Sequence, residues 1–358
     1  MLNGIWLGPD QWAALGLSAI LFIFFLLARL HYLALPKLHG GSGKPDDARA
    51  LPDCMVIIPA RNEEAVIARA VKSLPHDTVI VVDDFSEDRT AEAARKAGAG
   101  VMPAPPIPTG GLGKANACMA GAAVLTSKWI LFADADTWFE PGFLQAAVAC
   151  AEASNVAFLS IYPRIEPVTL AEAILAPYAQ ALFFCGMQPA SDPVSAFNGQ
   201  CILVRRDAYE FVGSHGAVLN TITDDVKLAA LARRHRLNLA VLRCESLAHV
   251  ELREPPLAFR RAALRFMAVP SSMGVRVMFA GSAAALWLPV LAWLLLSGAM
   301  RSALAFALFP ILLFAPWYRN PLRALFAPLA IYGMLPILWG GLLGALGNGK
   351  RRWKGRVV

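Results

Sequence analysis

From Trp12 to Leu35 the chain offers almost nothing but apolar side chains, with Arg29 and His31 only near the far end. As a helix, such a run is long enough to cross a hydrocarbon layer of roughly 30 Å. It reads as a retained span rather than a cleaved leader. No basic residue precedes it, it exceeds a signal core in length, and no small-x-small site stands before the following linker. Three further apolar stretches lie near 277–298, 302–318 and 324–346. The composition, 57% hydrophobic against 16% charged, is that of a membrane protein.

The net charge of +7 would suggest nucleic acid if it covered a soluble face, but it is placed otherwise. Lys350, Arg351, Arg352, Lys354 and Arg356 crowd the tail, and Arg253, Arg260, Arg261, Arg265 and Arg276 precede the C-terminal apolar region. Basic residues beside apolar spans mark the cytoplasmic side and anionic headgroups, and no aromatic-interleaved basic motif is present for stacking bases. No nucleic-acid partner is therefore expected. The six cysteines, at 54, 118, 150, 185, 201 and 244, form no C-x-x-C pair, which suits buried thiols in a reducing compartment. A globular domain on the cytoplasmic side, in a multi-pass protein of the cell's inner membrane, is expected from these placements. Three C-terminal crossings would leave the basic tail outside, so an even number, with one proline-bearing segment re-entrant, is expected.

The chain divides into an anchor at 1–37, a Gly- and Pro-rich linker at 38–53 and a water-soluble domain at 54–252. An amphipathic interfacial segment at 253–276, C-terminal membrane segments at 277–347 and a basic tail at 348–358 complete it. In the interfacial segment Phe259, Ala262, Ala263 and Phe266 fall on one helical face and Arg260, Arg261 and Arg265 on the other. Within the domain, MVIIP, TVIVVD, WILFAD and VAFLSIY alternate with helix-like stretches such as EEAVIARAVKSL. The expected fold class is α/β, a mostly parallel sheet covered by helices.

Open α/β sheets bind ligands beyond the carboxyl ends of their strands, so the polar residues there carry the argument. In MVIIPARNEEAVI, Pro59 ends a strand, and Arg61, Asn62, Glu63 and Glu64 follow; taken alone this is also an ordinary helix start. In VIVVDDFSEDRT, Asp83 and Asp84 can accept from a base N–H or a ribose hydroxyl, or serve as solvated caps. Lys114, after the glycine-rich turn of GGLGKANACMAGA, can neutralise a diphosphate near a helix start. This is not a P-loop, because Ala115 follows the lysine and the glycine spacing is wrong. In WILFADADTWFEP, strand alternation is expected to aim Asp134 and Asp136 the same way, where a hard Mg2+ or Mn2+ would relieve their repulsion. Asp224 and Asp225 open an amphipathic helix, and a carboxylate so placed can act as a general base. His249, in SLAHVEL, is a candidate third metal ligand or a structural histidine.

In this order, these residues resemble the family 2 glycosyltransferases of GT-A fold, specifically their membrane-anchored, lipid-modifying members of hopanoid-associated and carotenoid- or ceramide-type. The resemblance covers about residues 54–250, with support from the C-terminal spans and the WKGR tail. It implies that Pro59, Arg61 and Glu63 sit at the nucleotide, that Asp83 and Asp84 face uracil and ribose, and that Lys114 approaches the diphosphate. Asp136 would ligate the metal with Asp134 near the ribose. The run ITDDV matches T-[ED]-D, which makes Asp225 the base and Asp224 its neighbour. Asn198, Gly199 and Gln200 would line the sugar and acceptor pocket. Of the family's [QR]-x-x-R-W only Arg265 is retained, with Ala262 and Phe266 at the glutamine and tryptophan positions, which speaks against processive synthesis and simple ceramide specificity. The implied reaction is inverting transfer of a sugar from a nucleotide-sugar donor, UDP-linked, to a lipid hydroxyl. Two competing classes remain at this level, a membrane nucleotidyltransferase and a non-catalytic nucleotide-binding membrane protein. The first would need a glycine- and arginine-rich first loop, and PARNEE has a single arginine and no glycine. The second gains nothing from the apolar segments, where few ionisable residues lie.

Overall fold

The first strand of the sheet, β1 (Cys54–Ala60), is buried at five of its seven positions, as a strand flanked on both sides requires. It belongs to a computed structural model that describes residues 7–39, 51–187, 197–221, 223–251, 272–346, 352–353 and 356–357. These group into two compact units. One holds the described residues of Leu35–Glu166, Gln188–Glu251 and Lys350–Val358, the other those of Met1–Ala34, Pro167–Met187 and Leu252–Gly349.

In the sheet unit the chain runs β1, α2 (Ile67–Lys72), β2 (Val79–Asp83), α3 (Thr90–Lys96), β3 (Gly100–Pro103), α4 (Gly113–Ala123), β4 (Trp129–Ala133) and β5 (Thr137–Phe139). It continues with α5 (Phe143–Ala153), β6 (Phe158–Ile165), β7 (Cys201–Arg205), α7 (Arg206–Phe211), α8 (Asp224–Arg234) and β8 (Leu239–Val250). The strand order is β3-β2-β1-β4-β7-β6-β8-β5. Pairings β1–β2, β1–β4, β2–β3 and β6–β8 are parallel, whereas β4–β7, β6–β7 and β5–β8 are antiparallel. The sheet is thus mixed. Its antiparallel pairs fall in the second half, where the sequence alternates strand and helix less regularly.

All five residues of β4 are buried, which makes it the central strand. Because β7 runs against it, the start of β7 lies at the carboxyl end of β4: Ala133 pairs with Cys201, and the Asp134 N–H donates to the Gln200 carbonyl at 3.0 Å. That reversal brings Asn198–Gln200 to the edge where β1, β2 and β4 deliver their polar residues. On the opposite side of the strands, α4 lies close against β1 and β2. A Cβ at Gly121 would come within 2.9 Å of Ile57 and Val82, which accounts for the small residues of this helix. The linker begins inside this unit: Leu35 and Pro36 accept from Arg243 at 3.1 and 2.9 Å, and Leu38 donates back to it at 2.9 Å.

The second unit contains α1 (Pro9–Ala34), α6 (Leu170–Gly186), α9 (Ser272–Ala285), α10 (Trp287–Leu296), α11 (Met300–Phe314) and α12 (Ala327–Leu346). Four segments in it are long and apolar enough to cross a membrane: Pro9–Ala34, Gly274–Leu296, Met300–Trp317 and Pro321–Gly340. The helix α6 was expected inside the 54–252 domain, yet it groups with these apolar helices. It starts on a capping box between Thr169 and Glu172 and ends where Arg276 donates to the Gly186 carbonyl through Nε at 3.1 Å and Nη2 at 2.5 Å. Arg276 therefore closes a helix end rather than extending a headgroup-facing cluster. The interfacial segment, with Arg265, and most of its basic residues lie outside the described residues.

Candidate active site

The loops after β1 and β2 are fastened to each other. Arg61, 9% exposed, donates through Nη1 to the carbonyls of Asp84 at 2.8 Å and Phe85 at 3.1 Å, and its Nη2 lies 3.5 Å from Glu87. Asn62 takes the Glu87 N–H at 2.8 Å and gives its own to Ser86 Oγ at 3.0 Å, while the Glu63 N–H donates to Thr90 Oγ1 at 2.8 Å. The guanidinium of Arg61 is therefore a brace between the loops after β1 and β2. Pro59 lies within β1 opposite Val82. Asp83 ends β2 with Oδ1 buried and no hydrogen-bond partner on it, and Asp84 is buried beside it. An acceptor withdrawn from water without a donor is costly.

The centre of the site is assembled from three elements. Lys114, in the first turn of α4, places Nζ 2.6 Å from Asp134 Oδ1 and donates to the Gly199 carbonyl at 3.0 Å. The Gly199 N–H donates in turn to Asp225 Oδ2 at 2.7 Å. One ammonium and two carboxylates thus meet around a single glycine. A Cβ there would stand 3.0 Å from Asp225 Oδ2 and 3.2 Å from Lys114 Nζ, so a larger residue would have to push the two side chains off these positions. Asn198 and Gln200 lock each other by Nδ2 to Oε1 at 2.9 Å and N–H to Oδ1 at 3.2 Å, and Ser160 of β6 accepts the Asn198 N–H at 2.9 Å.

Asp134 and Asp136 do not occupy a continuous strand. The Thr137 N–H closes a turn onto the Asp134 carbonyl at 3.1 Å, between β4 and β5, so the alternation argument does not set their directions. Two hard carboxylates at a strand end fit a Mg2+ or Mn2+ that takes one or two protein oxygens and completes its shell with water and phosphate. Among the described residues no three His, Cys, Asp or Glu side chains are grouped to hold an ion by themselves. His249 is not brought into a ligand set with Asp134 and Asp136. Its ring stacks on Trp138 at 5.4 Å, with Nε2 3.4 Å from Glu140 and Nδ1 3.3 Å from Glu166. The cross-strand pairing of Trp138 with His249 explains the stack.

Three aromatic residues near the site carry no sequence signal of the strand-end kind. Tyr162 of β6 has its hydroxyl pushed well above the usual range by burial, with the Asp225 charge adding to the shift. His215 is buried under the start of α8, and Tyr209 of α7 bonds to it. They come from a strand, a helix and the start of a short 3-10 turn, where burial rather than motif places them.

Residues 55–213 match the family model described as Glycosyl transferase family 2. The chain is 45% identical over 87 residues to the 4,4'-diaponeurosporenoate glycosyltransferase of Staphylococcus haemolyticus and 41% identical over 90 residues to that of Staphylococcus aureus. These matches span only 23% and 24% of the chain and the same shares of the relatives. A mannosyltransferase of Pyrobaculum calidifontis, solved in complex with GDP-Man and Mn2+, shares the fold at a TM-score of 0.54 and 19% identity, over 90% of this chain and 99% of that one. The mixed sheet has the GT-A arrangement, and residues 55–213 form a domain of the glycosyl transferase family 2 type.

Proposed function

We propose that the protein moves a sugar from a nucleotide-sugar donor, UDP-linked, to a hydroxyl of a membrane lipid, with inversion at the anomeric carbon. The observation that carries the reading is the contact set Asp134–Lys114–Gly199–Asp225, which puts a fixed cation and a candidate base on either side of one glycine. Asp83, with its buried and unpartnered Oδ1, takes an N–H of the uracil, and Asp84 lies beside the ribose. Lys114 and the first-turn N–H groups of α4 face the diphosphate and offset the negative charge that grows as the glycosidic bond breaks. Asp134 and Asp136 hold the divalent cation, which supplies Lewis-acid stabilisation of the leaving diphosphate when bound. Asp225, oriented by the Gly199 N–H, accepts the proton of the acceptor hydroxyl as that oxygen attacks the face opposite the leaving group. Asn198 and Gln200 line the sugar side. Arg61 and Glu63 act by shaping the donor loop, and no part of this reading relies on His249 or Arg265.

The lipid acceptor is supported by the four membrane-length helices and by the names of the Staphylococcus relatives, which act on a carotenoid acid. The tail strands Arg352–Trp353 and Arg356–Val357 group with the sheet unit, which supports a crossing by only an even number of the three membrane-length segments between them and the catalytic domain. A cytoplasmic catalytic domain agrees with the six free cysteines.

The test is turnover of purified protein with a panel of nucleotide sugars and native lipid extract, read by mass spectrometry. A glycosylated lipid with release of nucleoside diphosphate is expected; pyrophosphate release would mean nucleotidyl transfer instead. Asp225→Asn should lower kcat about 10²- to 10⁴-fold, the usual span for removing a general base, with donor affinity retained. Wild-type turnover in that variant would refute the base assignment.

A further inference from the structure

We propose that His215 is a positioning residue for the transfer step: oriented by Tyr209, its Nε2–H holds the Asp224 carboxylate and thereby the first turn of α8 that presents Asp225. The inference rests on the reading of Asp225 as the base.

His215 opens a short 3-10 turn, His215–Val218, entered through Gly213 and Ser214 at φ of 89° and 55°. A serine in the left-handed region costs on the order of 1 kcal/mol and persists only where its surroundings demand it. The turn delivers the imidazole into a closed space, 4% exposed and edge-on to Phe132 of β4 at 4.7 Å. Phe132 stands two residues ahead of Asp134, so the ring braces both strand and helix.

The protonation pattern follows from the hydrogen bonds. Tyr209 Oη accepts the His215 backbone N–H at 3.1 Å and lies 2.7 Å from Nδ1. With its oxygen receiving that N–H, the phenol directs its own proton to Nδ1. A ring nitrogen that accepts is unprotonated, and a neutral imidazole then carries its proton on Nε2. Burial pushes the His215 pKa down to about 4, opposed by the Asp224 charge and aided by Lys114, so the ring is neutral at pH 7. Tyr209 from α7, Asp224 from α8 and Lys114 from α4 are the titratable groups acting on it, while β4 offers only Phe132.

Nε2 lies 4.0 Å from Asp224 Oδ2, beyond hydrogen-bond distance, so in the structure the neutral ring faces the carboxylate through its N–H dipole. Thr223, at the start of α8, supplies no side-chain cap, and Asp224 and Asp225 are adjacent like charges. An imidazole N–H directed at Asp224 separates their tasks: Asp224 is held toward the interior, and Asp225, with Oδ2 on the Gly199 N–H and Oδ1 on the Val226 N–H, is presented to the acceptor.

Two measurements on the full-length protein test this. In protein labelled with 15N-histidine, long-range proton–nitrogen NMR at pH 7 should show His215, assigned by its loss in His215→Gln, as the Nε2–H tautomer. Tyr209→Phe should shift it toward Nδ1–H. A wild-type ring protonated on Nδ1 or on both nitrogens overturns the proposal. In turnover, Tyr209→Phe and His215→Leu should each lower kcat about tenfold with donor KM within about twofold, the signature of an interaction made only in the transition state. His215→Gln, whose amide can donate from about the Nε2 position, should recover to within about threefold of wild type. Wild-type kcat in His215→Leu, or an equal failure of the glutamine variant, overturns the positioning role. If wild-type protein makes no glycolipid from any donor, the functional reading itself has failed, and that outcome is distinct from active protein indifferent to position 215.

Discussion

Gly199 is the smallest residue of the site and the one on which most contacts turn, because its carbonyl takes Lys114 and its N–H holds Asp225. Gly199→Ala would insert a methyl 3.0 Å from Asp225 Oδ2 and 3.2 Å from Lys114 Nζ. A displacement of an ångström or less at reacting groups can cost about 10- to 100-fold in rate. We expect kcat/KM to fall by that amount while the unfolding midpoint stays near wild type, checked by kinetics beside thermal denaturation. A second residue-scale expectation concerns pH. The folded pKa of His215, about 4, lies below the ordinary value of 6.5, so the unfolded chain takes up the proton first as pH falls. Its contribution is complete above pH 6.5 and is lost between 6.5 and 4, on the order of 3 kcal/mol in all. Urea midpoints should decline across that window, and the His215→Gln protein should show a flatter profile.

At the level of elements, α4 is set by its contact with the sheet as much as by its charge. Ala117 and Gly121 let it approach β1 and β2 until its first turn puts Lys114 beside Asp134. Gly121→Ala places a methyl 2.9 Å from the methyls of Ile57 and Val82. Overpacking of this kind costs about 1–3 kcal/mol, which should appear as a lowered urea midpoint, with part of the activity lost as the lysine is displaced. The loops after β1 and β2 show the same division of labour. Arg61 was readable as a nucleotide contact from its place after a strand, but its hydrogen bonds run to the Asp84 and Phe85 carbonyls. A strand-end position says where a residue is, and the neighbouring loop decides what it binds.

For the whole molecule, the sheet unit should register donor and metal together. A ligand that binds only the folded state at about 100 times its Kd stabilises it by about 2.7 kcal/mol. Nucleoside diphosphate with Mg2+ or Mn2+ should therefore raise the unfolding midpoint, and Asp136→Ala should abolish the metal-dependent part while leaving the unliganded midpoint near wild type. Protection in that variant equal to wild type would show that Asp136 does not hold the cation. The excursion of α6 belongs to this scale too. Its ends connect to Glu166 and, beyond Met187, to the stretch leading to Asn198, so the chain enters the apolar unit and returns to the site within a single insertion.

Apolar runs, the strand–helix alternation and the carboxylates after β2 and β4 were legible in the sequence because each obeys a local rule: length against bilayer thickness, periodicity, and polar residues at strand ends. Those rules reached the helices long and apolar enough to cross a membrane, the α/β class, and the places of Asp83 and Asp134 at strand ends and of Lys114 and Asp225 in first helical turns. They did not reach the antiparallel β7, which alone brings Asn198–Gln200 to the carboxyl edge, nor the turn that removes Asp134 and Asp136 from a common strand face. Neither could they separate α6 from the catalytic domain, since an apolar helix looks the same packed on a sheet or among other apolar helices. The partners of His249, Arg61 and His215 lie 23 or more residues away for the first two and on three different elements for the third. Such contacts are made only when the chain is folded, and burial and charge then fix what each side chain does.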